Sequence, residues 1–233
     1  MAIRIYPIVT IVSRFHLVVR GDEAVLIDAG FFPRWGPVAQ ACKRAGIRPE
    51  QIRAVLLTHG HLDHIGLIHQ VREHTPARVW IHRGDLAHLR QRHPYRGLTR
   101  VCGALEWTGR QLLGLRGFEA DEFFEPHDQL PFLGGLEVMH LPGHTRGHCG
   151  FWSAEERLLF SGDLFANYPP SPHQPPRFLN GNQLLLRESL QRAAALQPER
   201  VVPNHYWFAD YEKHALALQH LARGTSLRQG ADQ

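Results

Sequence analysis

Apolar residues fall along this chain in short runs whose spacing switches between a strand-like and a helix-like period. Ile3 to Val12, Phe15 to Val19 and Ala24 to Ile27 are rich in β-branched and large apolar residues, and Gly21-Asp22 supplies the turn between the last two. These predict a β-meander, with Arg20-Gly21-Asp22 read as its turn rather than as an adhesion tripeptide. Pro37 to Ala45 predicts a short helix, opened by proline and stopped by Gly46. Ile52 to Leu57 predicts a buried strand, and Ile65 to His74 a helix behind it. Arg78 to Ile81 then reads as a strand and Gly84 to Arg92 as a helix.

From His93 to Asp128 the pattern weakens into glycine, arginine and aromatic residues, with one helix expected from Leu105 to Leu113. Such a stretch is either a solvated connector or the place for substrate contacts, since binding residues tend to sit on loops held by a rigid scaffold. Leu136 to Leu141, Gly150 to Ser153 and Leu158 to Phe160 predict strands, with a Glu155-Glu156 turn between the last two. Tyr168 to Pro176 is proline-dense and predicts an irregular loop. Asn182 caps a predicted helix, Gln183 to Leu196, with apolar positions at Leu186, Leu190, Ala193 and Leu196. Val201 to Pro203 predicts a short strand and Asp210 to Leu221 a closing helix. Two β-rich halves, each covered by helices, predict an α/β fold of four layers, an αββα sandwich whose strand ends meet along one edge. At 233 residues the expectation is one domain, spanning 1–233.

Composition narrows the class. Apolar residues make up 43% and charged residues 21%, the balance of a soluble globular protein. No run approaches the ~18 apolar residues of a membrane span, and Met1 to Pro7 lacks the pattern of a secretory leader, so a cytoplasmic protein is expected. Cys42, Cys102 and Cys149 show no CxxC spacing and predict reduced thiols, with Cys149 in the core. The net charge of +4 rests on arginine, because Lys43 and Lys213 are the only lysines among 26 basic residues. Arginine suits carboxylates and phosphates, but the bias equally fits genome composition, and no nucleic-acid partner is expected.

The candidate chemistry lies in Thr58-His59-Gly60-His61-Leu62-Asp63-His64, at the predicted strand-to-helix turn. Residues two apart in extended chain point the same way, so His59 and His61 converge on one point. Asp63 and His64 are adjacent and diverge toward a second, a geometry that suits two metals. His144, Asp163 and His205 each stand at the end of a predicted strand and raise the set to five histidines and two aspartates. That number serves two first-row divalent ions and a bridging water. Zinc suits these nitrogen and oxygen donors, and iron or manganese also fit.

His59, His61, Asp63 and His64 resemble the HxHxDH signature of the metallo-β-lactamase-fold hydrolases. Pro142-Gly143-His144-Thr145 and Ser161-Gly162-Asp163 are similar to elements of the glyoxalase II-like branch, and the resemblance covers nearly the whole chain. It implies that His59, His61 and His144 bind one metal, that Asp63, His64 and His205 bind the other, and that Asp163 bridges both. Asp28, in Asp28-Ala29-Gly30, resembles the family's strand-ending Asp-x-Gly, which supports the ligands from behind. His148 is expected beside the ligands rather than among them.

A water between two cations about 3.5–4 Å apart becomes a hydroxide near neutral pH. The implied reaction is its attack on a small ester, thioester or lactone, with Asp63 orienting the water or passing a proton. The bridging Asp163 argues against β-lactam hydrolysis, and His61 against the flavodiiron branch, which tends to carry glutamate there. Glyoxalase II proper carries a long helical extension with glutathione contacts, whereas 28 residues follow His205, so a glutathione thioester is not expected. Acyl-homoserine lactonases use a tyrosine shortly after the bridging aspartate; Tyr168 stands near that place at a different spacing. Arg96, Arg100, His173 and Arg177 lie in the two variable stretches and are candidates to meet an anionic small-molecule substrate, or are merely solvated. Two alternatives stay open: an oxidoreductase resembling the persulfide dioxygenases, with one iron on two histidines and a carboxylate, and a nuclease of the same fold. A homodimer is expected.

Overall fold

Every second side chain of a strand points to the opposite face, and here the two faces meet different cores. On β3 (Glu23–Ile27), Ala24 and Leu26 enter one core while Val25 and Ile27 enter another. On β4 (Ile52–Leu56), Val55 joins the first and Ala54 and Leu56 the second. The computed structural model describes residues 1–91 and 95–229, with side chains through Gly224. Arg92, the predicted end of the Gly84–Arg92 helix, and His93, the start of the weakly patterned stretch, lie outside the described residues.

Strands β1 (Arg4–Val9), β2 (Arg14–Arg20), β3, β4, β5 (Arg78–His82) and β6 (Glu122–Phe124) form a six-stranded sheet in that order. The first three are antiparallel and β3 to β6 run parallel. The second sheet has the order β11-β10-β9-β8-β7, from β7 (Gln129–Leu130), β8 (Leu136–His140), β9 (Cys149–Ser153), β10 (Leu158–Asn167) and β11 (Arg200–Tyr206). Helices α1 (Gly36–Ala45) and α3 (Ile68–His74) cover the first sheet through Val38, Ala41, Cys42, Ile68 and Val71. Helices α6 (Gln183–Ala195) and α7 (Tyr211–Gln229) cover the second through Leu186, Leu190, Ala193 and Leu218. The inter-sheet core holds Ile27, Phe124, Phe151 and Phe160. The architecture is the αββα sandwich that the element order predicts.

The local departures have identifiable causes. The helix expected at Ile65–His74 is two pieces, α2 (Leu62–Ile65) and α3. The amides of Gly66 and Leu67 bond to Gly30 O at 2.7 Å and Ala29 O at 2.9 Å, leaving the helical ladder for the loop after β3. A side chain at Gly66 would place its Cβ 2.0 Å from Phe31 O, so the close approach requires glycine. The helix expected from Gly84 to Arg92 is, among the described residues, a 3-10 turn (Arg83–Asp85) followed by the short α4 (Leu86–Leu89), and the weakly patterned stretch holds α5 (Arg100–Leu113, five residues longer at its start than expected) and β6, with β7 just after it. Asn182 caps α6 as expected, its Oδ1 accepting from the amides of Leu184 and Leu185. β11 runs on through Pro203 because it is an edge strand, where a missing amide costs no ladder bond.

Strand β10 is the departure that matters for function. Its pairing with β11 shifts register between Phe160 and Gly162 and again before Ala166. Gly162 sits at φ +54, and a Cβ there would lie 2.5 Å from His148 Nε2. Asp163 is thereby carried on an irregular stretch, the device by which bulges re-aim a side chain.

The inter-sheet face also holds a histidine with no metal-site role. His16 of β2 is fully buried and pairs its Nε2 with Tyr206 Oη at 3.1 Å. Burial, then Arg14 and His214, push its pKa down to about 3. The unfolded chain, with an ordinary imidazole pKa of about 6.5, takes up this proton first. The stability contributed by neutral His16 is therefore complete above pH ~6.5 and lost as pH falls toward 3. The urea midpoint is expected to drop across that window, and His16→Gln to flatten the drop by several kcal/mol. Equal pH slopes in the two proteins would remove His16 from the account.

Candidate metal centre

The strand ends at one edge of the sandwich converge on a single polar cluster. After β4 the chain delivers His59 and then His61, whose backbone is extended, and α2 then turns Asp63 and His64 toward the same place. The Pro142–His148 loop between β8 and β9 brings His144, the irregular part of β10 brings Asp163, and β11 brings His205. Donor atoms of His59, His61 and His144 lie within 4.8 Å of one another, and so do those of Asp63, His64 and His205. Asp163 Oδ2 stands between the groups, 3.0 Å from His205 Nε2, 3.5 Å from His64 Nε2, 3.5 Å from His144 Nε2 and 3.9 Å from His59 Nε2. Two donors at ~2.0–2.1 Å on one tetrahedral ion lie roughly 3.3 Å apart, so this spacing is that of ligands.

The surroundings fix which ring nitrogen faces inward. Thr58 Oγ1 donates to Asp28 Oδ2 at 2.8 Å and is left to accept from His59 Nδ1–H at 3.0 Å. Asn180 donates its amide to Pro175 O at 2.7 Å, so its Oδ1 accepts from His144 Nδ1–H at 2.9 Å. His64 Nδ1 donates to Asp28 Oδ2 at 3.0 Å. Each ring thus keeps an Nε2 lone pair for the cluster. His59 Nε2, His64 Nε2, His144 Nε2 and Asp163 Oδ1 are buried without a hydrogen-bond partner. Buried orphans of this kind are costly, and a cation accounts for all four. The residues fit divalent metal ions.

The electrostatics are those of a pocket that favours positive charge among its carboxylates. Burial, then His64 and His61, hold the His59 imidazole well below its ordinary pKa, and burial with His144 does the same to His61. Burial also opposes charge on His64, but Asp63, Asp163 and Asp28 around it raise its pKa well above the ordinary value. Burial likewise works against the carboxylates of Asp63 and Asp163, yet the imidazoles beside them keep both ionised, well below the usual range.

The supporting residues form a second layer. Asp28, at φ +63, accepts from Thr58 N at 2.7 Å, Thr58 Oγ1, His64 Nδ1 and Asn204 Nδ2 at 2.8 Å. His148 donates Nδ1–H to Leu141 O at 2.9 Å and accepts the Asp163 amide on Nε2 at 2.9 Å, so it positions the backbone that carries Asp163. Burial and then His144 push its pKa down to about 4, which keeps that acceptor free.

The three substrate candidates of the proline-dense loop are placed differently. Tyr168 Oη lies 3.5 Å from His205 Nδ1, behind the ligand atom. His173 is exposed because its backbone bridges Ala166 and turns the ring outward, and Arg177 is exposed on a turn of 3-10 helix. A cavity of about 60 Å³ opens beside His61 and His144, and its lining comes from Tyr95, Thr99, Arg146 and Leu179 instead.

Sequence reasoning missed Asp85, Asn180 and Glu106. Asp85 is fully buried and accepts from Gly60 N, Thr145 Oγ1 and Gly147 N. Glu106 of α5 accepts from the Leu62 amide at 2.9 Å and from Tyr95 Oη, clamping the start of α2. The partners of Asp85 lie 25 to 62 residues away, the Leu62 amide lies 44 residues from Glu106 and His144 lies 36 residues from Asn180, and no local pattern announces these meetings.

The family model of the metallo-beta-lactamase superfamily matches residues 13–205, and the chain belongs to that superfamily. It is 29% identical over 170 residues to the hydroxyacylglutathione hydrolase GloC of Haemophilus influenzae, covering 70% of this chain and 72% of the relative. The metallo-beta-lactamase family protein TTHA1429 of Thermus thermophilus superposes with TM-score 0.73 at 22% identity, covering 98% of this chain and 81% of that one. TTHA1623, solved in a di-iron-bound form, gives TM-score 0.65 at 28% identity over 86% of this chain and 91% of its own. The chain is thus a metallo-hydrolase-superfamily protein with glyoxalase II-like relatives and a His/Asp cluster for divalent metal.

Proposed function

We propose that the protein is a dinuclear metal hydrolase that cleaves a small thioester, ester or lactone. The observation that carries this reading is the carboxylate of Asp163, whose Oδ2 lies 3.0–3.9 Å from imidazole nitrogens of both donor groups. His59, His61 and His144 would hold one ion, Asp63, His64 and His205 the other, with Asp163 shared between them. Bound there, a pair of divalent ions, zinc first among them, supplies ionised water at neutral pH and polarises the scissile carbonyl. TTHA1623 in its di-iron-bound form supports a pair of ions and keeps iron as an alternative. Likeness to a hydroxyacylglutathione hydrolase puts a thioester first.

The chain's own residues divide the remaining work. Thr58, Asn180 and Asp28 hold His59, His144 and His64 in the one tautomer that leaves Nε2 unprotonated. Asp63 keeps 21% of its side chain open against 6% for Asp163, so it is the carboxylate that a water or a leaving group can reach, to orient the one or pass a proton to the other. No serine or cysteine nucleophile is needed, and Cys149 is core-packed.

The test is elemental analysis of protein purified without added metal, beside a panel of thioesters, esters and lactones. Two ions per chain with hydrolysis are expected. One iron per chain, no hydrolysis, and oxygen uptake with glutathione persulfide would give the protein to the dioxygenase reading.

A further inference from the structure

The small cavity beside His61 and His144 does not end at Tyr95. The same side chain lines a second, open trough of about 660 Å³, together with Arg96, Arg100 and Trp107. Its volume is within the range of small-molecule sites. Trp107 presents an indole that is 54% exposed, and Leu98 and Val101 on the same segment are exposed as well. A tryptophan in water is a surface waiting for a flat or aliphatic group.

The trough gathers positive charge, since both Arg96 and Arg100 line it. Some arginines elsewhere pair with carboxylates, as Arg20 does with Glu155, Arg72 with Asp121, Arg90 with Glu119 and Arg200 with Glu156. Among the described residues, Arg96 and Arg100 in the trough and Arg146 in the adjoining cavity have no carboxylate partner. α5 begins at Arg100 with no acidic residue in its first turn, so its positive end adds to the same field. Unmatched guanidinium groups over a cleft concentrate anions there, and each offers paired donors that fit a carboxylate or phosphate.

We propose that the trough of Tyr95, Arg96, Arg100 and Trp107 is a specificity site that holds an oxyanion-bearing arm of the substrate while its scissile bond lies beside His61 and His144. The arm has an apolar segment on Trp107 and ends in a carboxylate or phosphate between Arg96 and Arg100. The role assigned to the bond rests on the hydrolase reading; the anion site does not need turnover to be seen.

Calorimetric titration of the metal-loaded protein with 3-phenylpropionate, phenethyl phosphate and 3-phenylpropanol tests it. At least one acid is expected to bind about tenfold tighter than the alcohol, the scale of one charge-assisted hydrogen bond. The tighter acid identifies the oxyanion. Arg96→Gln/Arg100→Gln is expected to erase the preference, and Trp107→Ala to weaken all three probes together. Equal binding of acids and alcohol by the wild type overturns the proposal. So does a preference that survives in the double variant, which would assign the anion to the metals. Acid binding as expected in a protein that cleaves no ester, thioester or lactone would retain this site and remove the hydrolase reading.

Discussion

Asp163→Ala is expected to lower kcat/KM by more than about a thousandfold while leaving the fold formed. The side chain gives the cluster its one carboxylate oxygen within 3.9 Å of His59, His64, His144 and His205. Without it neither donor group is complete, and metal content should fall below two ions per chain. The fold should survive because the side chain faces the polar cluster, whereas the Asp163 backbone is fixed separately by its amide bond to His148 Nε2. Paired measurements of metal content, kcat/KM and urea midpoint check this, and His59→Ala should behave alike. Near-native turnover in either variant would sink the two-metal mechanism.

The legibility of this site follows from how far apart its parts lie in sequence. His59 to His64 is readable because one strand-to-helix turn carries four donors, and strand and helix periods are local properties. Asp28, His144, Asp163 and His205 are readable as polar residues terminating apolar runs. The sandwich itself follows from the same runs, since each predicts an element and the element order predicts the layers. What local pattern does not carry is the meeting of distant segments. α2 and α3 read as one helix because Gly66 and Leu67 give their amides to Ala29 and Gly30, a claim made from the far side of β4. α5 reads as beginning at Leu105 because its first turn lacks a side-chain cap and any acidic residue. The Tyr168–Pro176 loop reads as irregular and offers Tyr168 and His173 as substrate candidates, yet Tyr168 sits behind His205 and His173, bridged to Ala166, is exposed. The cavity is lined instead by Tyr95, Thr99 and Arg146, from stretches with no period to read.

Asp85 shows how those distant parts are held together, and its replacement should have the second largest effect. It lies in an Arg-Gly-Asp turn after β5, with its carboxylate fully buried. Oδ2 accepts from Gly60 N at 3.0 Å and Thr145 Oγ1 at 2.6 Å, and Oδ1 accepts from Gly147 N at 2.7 Å. Gly60 lies between His59 and His61, whereas Thr145 and Gly147 follow His144, so one carboxylate ties the two loops that must present a shared set of donors. Asp85→Asn keeps the shape but turns one oxygen into an N–H pair facing existing donors, whichever way the amide is placed. A buried donor left without an acceptor costs about 1–3 kcal/mol, and more where the lost acceptor was charged. The variant should therefore lose about 2–4 kcal/mol of stability. Its metal affinity should fall roughly 10–100-fold, the effect of disturbing residues that orient ligands. Thr145→Ala, which removes a single donor, should cost only about 1 kcal/mol. A metal-competition titration and urea unfolding of the three proteins measure both. If Asp85→Asn bound metal as the wild type does, the two loops would be set by their strands alone, and the carboxylate would be a packing feature rather than the tie between the halves of the site.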